Sequence, residues 1–141
     1  MKNRILIVDN EPDIIFAFQQ TLLREPYEIH FAFGSEGALK VLNRTSVKAV
    51  ISDQCLPRME GAELLSIIKV KHPETVRIIL SGSTSVADAI KAVNAGEVYR
   101  FLVKPWNDAE IIAALRSAVE KYDAEMETRR LLEEAKRNRR A

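Results

Sequence analysis

Asp9-Asn10, Asp53, Ser81 and Lys104 each stand at the end of a short, mostly apolar run, so the chain repeatedly brings a polar group out of a stretch that must be buried. An acid in that position is costly unless something uses its charge. Two carboxylates brought together raise each other's pKa unless a cation lies between them. Magnesium suits such a place, because it takes hard oxygen ligands, keeps several waters and needs only one or two carboxylates besides phosphate oxygens. An aspartate facing a phosphoryl donor can act as a nucleophile and become an aspartyl phosphate, while metal and lysine balance the charge on the transferring group. Asp53 is the candidate nucleophile and Lys104 the balancing cation. Ser81 is placed to hydrogen-bond a phosphoryl oxygen and draw its own loop toward the site. A lone Asp53 would read as a loop cap; the set of four strand ends overturns that reading.

The elements that must position these residues can be followed along the chain. Ile5-Leu6-Ile7-Val8 is a β-branched apolar run suited to a strand covered on both faces. Asn10 can cap a helix with Pro12 in its first turn, and Ile14, Ile15, Phe18 and Leu22 recur at helical spacing until Pro26. Tyr27 to Ala32 reads as a second strand, and Ser35 opens a helix with Ala38, Leu39 and Leu42 on its apolar side. Ala49 to Ser52 forms a third strand delivering Asp53, followed by a loop punctuated by Pro57 and Gly61 and a helix with Leu64, Leu65 and Ile68 inward. Arg77 to Leu80 is a fourth strand ending at Ser81-Gly82. Ser85 caps a helix bearing Val86, Ala89, Ile90 and Val93, which Gly96 stops. Arg100 to Val103 is a fifth strand, and Asn107 with Glu110 resembles a capping box for the last helix.

This alternation predicts an α/β fold: a doubly wound, five-stranded parallel sheet with five helices, the last extended. Ligand chemistry in such sheets gathers beyond the carboxyl ends of the strands, where the four polar positions lie. Composition adds exclusions. A net charge of +1 over 141 residues argues against direct nucleic-acid binding or a membrane-surface role. A single cysteine, Cys55, cannot form an internal disulfide, and no segment approaches membrane-spanning length, so the expected location is cytoplasmic.

The ordered motifs Ile-Leu-Ile-Val-Asp9-Asn10-Glu11, Asp53-Gln-Cys-Leu-Pro57-Arg-Met-Glu-Gly61, Leu80-Ser81-Gly82 and Phe101-Leu-Val-Lys104-Pro105 resemble the receiver domain of bacterial two-component response regulators, from about residue 4 to residue 121. The resemblance implies a phosphoacceptor at Asp53 and a site for magnesium or manganese at Asp9, Asn10, Asp53 and the backbone carbonyl of Cys55. It also implies a phosphoryl-sensing hydroxyl at Ser81, a phosphate-binding amine at Lys104 and an aromatic switch at Phe101. It further implies the flavodoxin-like strand order 2-1-3-4-5, a sensor histidine kinase as donor and a signalling surface on the fourth helix, fifth strand and fifth helix. One departure stands out: Asn10 replaces the second acid usual in the family. An amide still offers a carbonyl oxygen but removes a negative charge, so weaker metal binding is expected.

Residues 1–121 read as the receiver domain and 122–141 as a helical extension toward an output domain beyond residue 141, transcriptional or in cyclic-dinucleotide signalling. The stretch from Asp108 to Ala141 contains neither glycine nor proline and would span roughly 50 Å if fully helical. Ile112, Leu115, Val119, Tyr122 and Met126 mark a stripe on it, and Glu125-Arg129 and Glu133-Arg137 are expected ion pairs. Such a helix points to a homodimer through a short coiled coil, the alternative being a frayed, charged extension. The rival reading is a phosphorylation-independent dimerisation module on the receiver fold, with a weakened metal site. Enzyme readings fare poorly, because a phosphatase would want an acid at Cys55 and no glycine-rich phosphate loop follows the first strand. Cys55 reads as filler, His30 and His72 as structural, and Trp106 equally as packing or as a partner contact.

Overall fold

A computed structural model of the chain describes residues 2–82, 87 and 98–140. Its strands are β1 (Arg4–Val8), β2 (Glu28–Ala32), β3 (Ala49–Asp53), β4 (Val76–Ser81) and β5 (Arg100–Val103). They form one parallel sheet in the order β2-β1-β3-β4-β5. Helices α1 (Pro12–Thr21), α2 (Ser35–Arg44) and α3 (Gly61–Lys71) connect the first four strands, and a C-terminal helix runs from Asp108 to Arg140. The fold class is the one the alternation predicts. The helix expected from Ser85 to Gly96 lies, except for Ala87, outside the described residues.

Strand alternation divides the core into two layers. Ile5, Ile7, Ala49, Ile51, Ile78, Leu80 and Leu102 pack with Phe18 of α1 and with Ile111, Leu115, Val119 and Tyr122 of the C-terminal helix. Leu6, Val8, Val50 and Ile79 face the other way, onto Ala38 and Leu42 of α2 and Leu64, Leu65 and Ile68 of α3. Because side chains alternate with a period of two, continuing the first set carries Asp9, Asp53 and Lys104 toward α1. Ser81 continues the line of Ile79 instead, and Phe101 packs against the second layer.

Local details refine several expectations. The position before α1 is Glu11, extended at φ −98°, ψ 116°, with Pro12 beginning the helix, so Asn10 is not its cap. Proline disfavours helical geometry in its predecessor, which pushes the boundary one residue later. Ile111, rather than Ile112, is the fully buried residue at the start of the C-terminal stripe. That helix has 33 residues, and its last buried side chain is Tyr122. Within the exposed part of the helix the ion pairs among the described residues are Lys121–Glu125, Glu127–Arg130, Arg130–Glu134 and Glu133–Lys136, in place of the expected Glu125–Arg129 and Glu133–Arg137. No helix among the described residues is long and apolar enough to cross a membrane.

Candidate functional site

The strand ends are pinned by backbone bonds that extend the ladders by one residue. Asp9 N–H donates to the Ala32 carbonyl at 3.0 Å, Gln54 N–H to Leu80 at 2.9 Å, and Lys104 N–H to Ser81 at 2.8 Å. In register, Val8 lies beside Ser52 and Asp53 beside Leu80, so Asp9 and Asp53 emerge from neighbouring strands. Gly61, at the start of α3, closes over this edge: a Cβ there would fall 2.2 Å from the Asp53 carbonyl oxygen, so only glycine lets the helix approach. Gln54 ties the two together, its carbonyl accepting from Gly61 N–H at 2.9 Å and its side-chain oxygen from Ala62 N–H at 3.1 Å.

Around the pinned backbone, Lys104 Nζ lies 3.2 Å from Asp53 Oδ1, 3.4 Å from Asp9 Oδ2 and 3.9 Å from Glu11 Oε1. Asp9 and Asp53 are 1% and 3% exposed, which makes their charges expensive without compensation. Burial pushes the Asp9 carboxyl above its ordinary range, and Asp53 adds to this, against the lowering pull of the Glu11 N–H and of Lys104. Burial pulls the Lys104 ammonium down, but the fields of Asp9 and Asp53 outweigh it and the net shift is upward.

One atom bears directly on a cation. Asp9 Oδ1 accepts the Glu11 N–H at 2.8 Å, whereas the buried Oδ2 has no hydrogen-bond donor among the described residues. Its separation from Lys104 Nζ is an ion-pair distance without hydrogen-bond geometry. Asp9, Glu11 and Asp53 each offer an oxygen, and the three lie within 4.8 Å of one another. An all-oxygen donor set with an orphaned buried carboxylate atom fits a hard divalent ion.

The structure therefore brings Asp9, Asp53 and Lys104 together as the residue pattern anticipates. Ser81 is buried at the end of β4, on the strand between those carrying Asp53 and Lys104, and Phe101 is half-buried in β5. Asn10 and Cys55 are exposed beside the cluster in the chain. Trp106 resolves toward packing: its ring stacks on Phe18 with centroids 4.4 Å apart, and its Nε1–H donates to Thr21 Oγ1 at 3.1 Å. Glu11 is the residue that motif reading passed over. A signal was present, since an extended residue before proline keeps Asp9 and Glu11 on one side.

Comparison with known proteins places this geometry. Residues 5–116 match the family model described as the response regulator receiver domain. The chain belongs to the response regulator receiver domain family. Similar proteins include the hydrogenase transcriptional regulatory protein HoxA of Cupriavidus necator, 32% identical over 127 residues, covering 90% of this chain and 26% of that protein. The nitrogen assimilation regulatory protein NtrX of Azorhizobium caulinodans is 34% identical over 133 residues, covering 93% of this chain and 29% of that protein. Among solved receiver domains, that of an HD domain-containing protein from Pseudomonas fluorescens Pf-5 superposes with a TM-score of 0.84 at 42% identity, covering 89% of this chain and 93% of that one. The chain spans about a quarter of the length of the curated relatives it matches.

Proposed function

We propose that this receiver domain is a phosphoacceptor switch in which Asp53 takes a phosphoryl group from a sensor histidine kinase. The observation that carries the reading is the placement of Lys104 Nζ within 3.4 Å of carboxylate oxygens from both Asp53 and Asp9. An Asp53 carboxylate oxygen attacks phosphorus, the phosphorus–nitrogen bond to the kinase imidazole breaks, and its electrons leave with the imidazole. Lys104 holds a negative oxygen of the transferred group. Asp9, Asn10, Asp53 and the Cys55 carbonyl would hold a magnesium or manganese ion, which supplies charge neutralisation at the transferring group.

The phosphoryl group then offers acceptor oxygens to the Ser81 hydroxyl, and the loop after β4 follows it. Phe101, half-buried in β5, turns inward as that loop moves. The consequence is a changed surface on β5 and the flanking helices, read by an output domain beyond residue 141 or by a partner. Residues 1–121 act as the receiver and 122–141 as a linker that dimerises through the C-terminal helix. Incubation with a small phosphodonor and magnesium tests the assignment: the wild-type chain takes up one phosphoryl group and Asp53→Asn takes up none. Label retained by the variant would refute it.

A second reading, a dimerisation module that does not need phosphorylation, draws on the long exposed end of the C-terminal helix, where Leu131 and Leu132 are 52% and 57% exposed. Beryllofluoride with magnesium separates the two. A change in oligomeric state or near-ultraviolet spectrum supports the switch, and an unaltered dimer supports the module.

A further inference from the structure

We infer that Glu11 supplies the negative charge that Asn10 withholds, so that the acidic groups of the divalent-cation site of this chain are Asp9, Glu11 and Asp53. The inference rests on the proposed metal site and concerns which residue completes it. Its starting point is the turn after β1. Asp9 spends Oδ1 on the Glu11 N–H, which fixes Glu11 in extended geometry and leaves Oδ2 buried without a hydrogen-bond donor among the described residues. The extended backbone carries the Glu11 side chain to the same side as Asp9, and its carboxylate joins the two aspartates within 4.8 Å.

Glu11 has no competing local task. It occupies the cap position of α1, yet its side chain makes no capping bond there. Its only ion pair among the described residues is the 3.9 Å approach to Lys104, with the Glu11 side chain 60% exposed; a pair that long and wet contributes little. Lys104 already has nearer partners in Asp53 and Asp9. Three carboxylates therefore face one ammonium. Ionised, they leave two negative charges, those of one divalent ion, and cation affinity at oxygen sites follows ligand charge count. With Glu11 present, the charge lost at Asn10 is made good from the next residue.

The two positions should therefore be coupled, and calorimetric titration of Mn2+ into the full chain reads that coupling. Glu11→Gln is expected to weaken binding about tenfold, the lower end of what removing a supporting group costs a metal site. Asn10→Asp on the wild-type background is expected to change affinity much less. Asn10→Asp combined with Glu11→Gln is expected to return affinity close to wild type, a rescue that loss of a merely structural side chain would not show. Thermal unfolding without metal checks that Glu11→Gln folds. Wild-type affinity in Glu11→Gln, or no rescue in the double variant, overturns the inference while Asp53→Asn still loses binding. If Asp53→Asn and Asp9→Asn also bind Mn2+ like wild type, the metal-site reading itself falls.

Discussion

At the amino edge of the sheet Arg4 meets Glu28 at 2.6 Å and Lys48 meets Asp123 at 2.7 Å, whereas at the carboxyl edge Lys104 faces Asp9, Asp53 and Glu11 together. Both lysines are largely buried, with side chains 6% and 17% exposed. Their surroundings differ. Lys48 donates to Asn3 Oδ1 at 2.7 Å and to Asp123, and sits 5.7 Å from the Tyr122 ring, so its charge is matched and its hydrogens are used. Asp123 is itself 54% exposed and keeps much of its hydration. Lys104 is shared among carboxylates that outnumber it, two of them almost fully buried. A matched edge holds a fold together; an unmatched edge stores the demand for a ligand.

The largest effect should come from Lys104→Met in metal-free buffer. Removing the ammonium leaves two buried carboxylates uncompensated, and urea unfolding should register a loss of about 3 kcal/mol. Lys48→Met should cost less, about 1.5 kcal/mol, because Asp123 can turn to water when its hydrogen bond is lost. Its signature should be local: faster amide exchange around Asp123, where the helix leaves the body, with Mn2+ affinity unaltered. Equal losses in the two variants would erase the distinction between the edges.

Asp9→Asn should work in the opposite direction and stabilise the metal-free chain by about 1 kcal/mol, since it relieves the crowding of negative charge at that edge. Asp123→Asn should not stabilise, and thermal unfolding of the pair at neutral pH compares them directly. The smallest effect belongs to Glu28, whose carboxyl is drawn down from 4.5 to about 2 by hydrogen bonds from His30 and Arg4, with Arg4 and Lys2 adding their fields. A depressed folded-state value means a contribution present above pH 4.5 and lost as pH falls toward about 2. The Glu28 side chain is 38% exposed, so solvent screens these contacts, the slope should be shallow, and the gap in Tm between wild type and Glu28→Gln should narrow as pH falls between those values.

The strands were readable because each is a compact apolar run closed by a polar residue or a turn signal, and burial on both faces leaves little choice of composition. Asp9, Asp53 and Lys104 were readable for the same reason, as charges at the ends of such runs. Boundaries moved where local rules competed. Asn10 looked like a cap, but Pro12 shifted the helix start past Glu11. Gly61 looked like loop punctuation, and its reason is the approach of α3 to the Asp53 carbonyl. Trp106 was ambiguous in sequence because its partners, Phe18 and Thr21, lie more than eighty residues earlier in the chain.

By itself the sequence determined the alternating architecture, the family, and the acids and lysine that end its strands, since periodicity and residue type are local properties. Only the tertiary structure decided that Glu11 stands with Asp9 and Asp53 and that Lys48 closes on Asp123. It also decided that Phe101 packs on the face of the sheet opposite Phe18 and the C-terminal helix. Those facts depend on which strands become neighbours and where a helix of 33 residues crosses the sheet, and Coulomb forces act across that space without regard to separation along the chain.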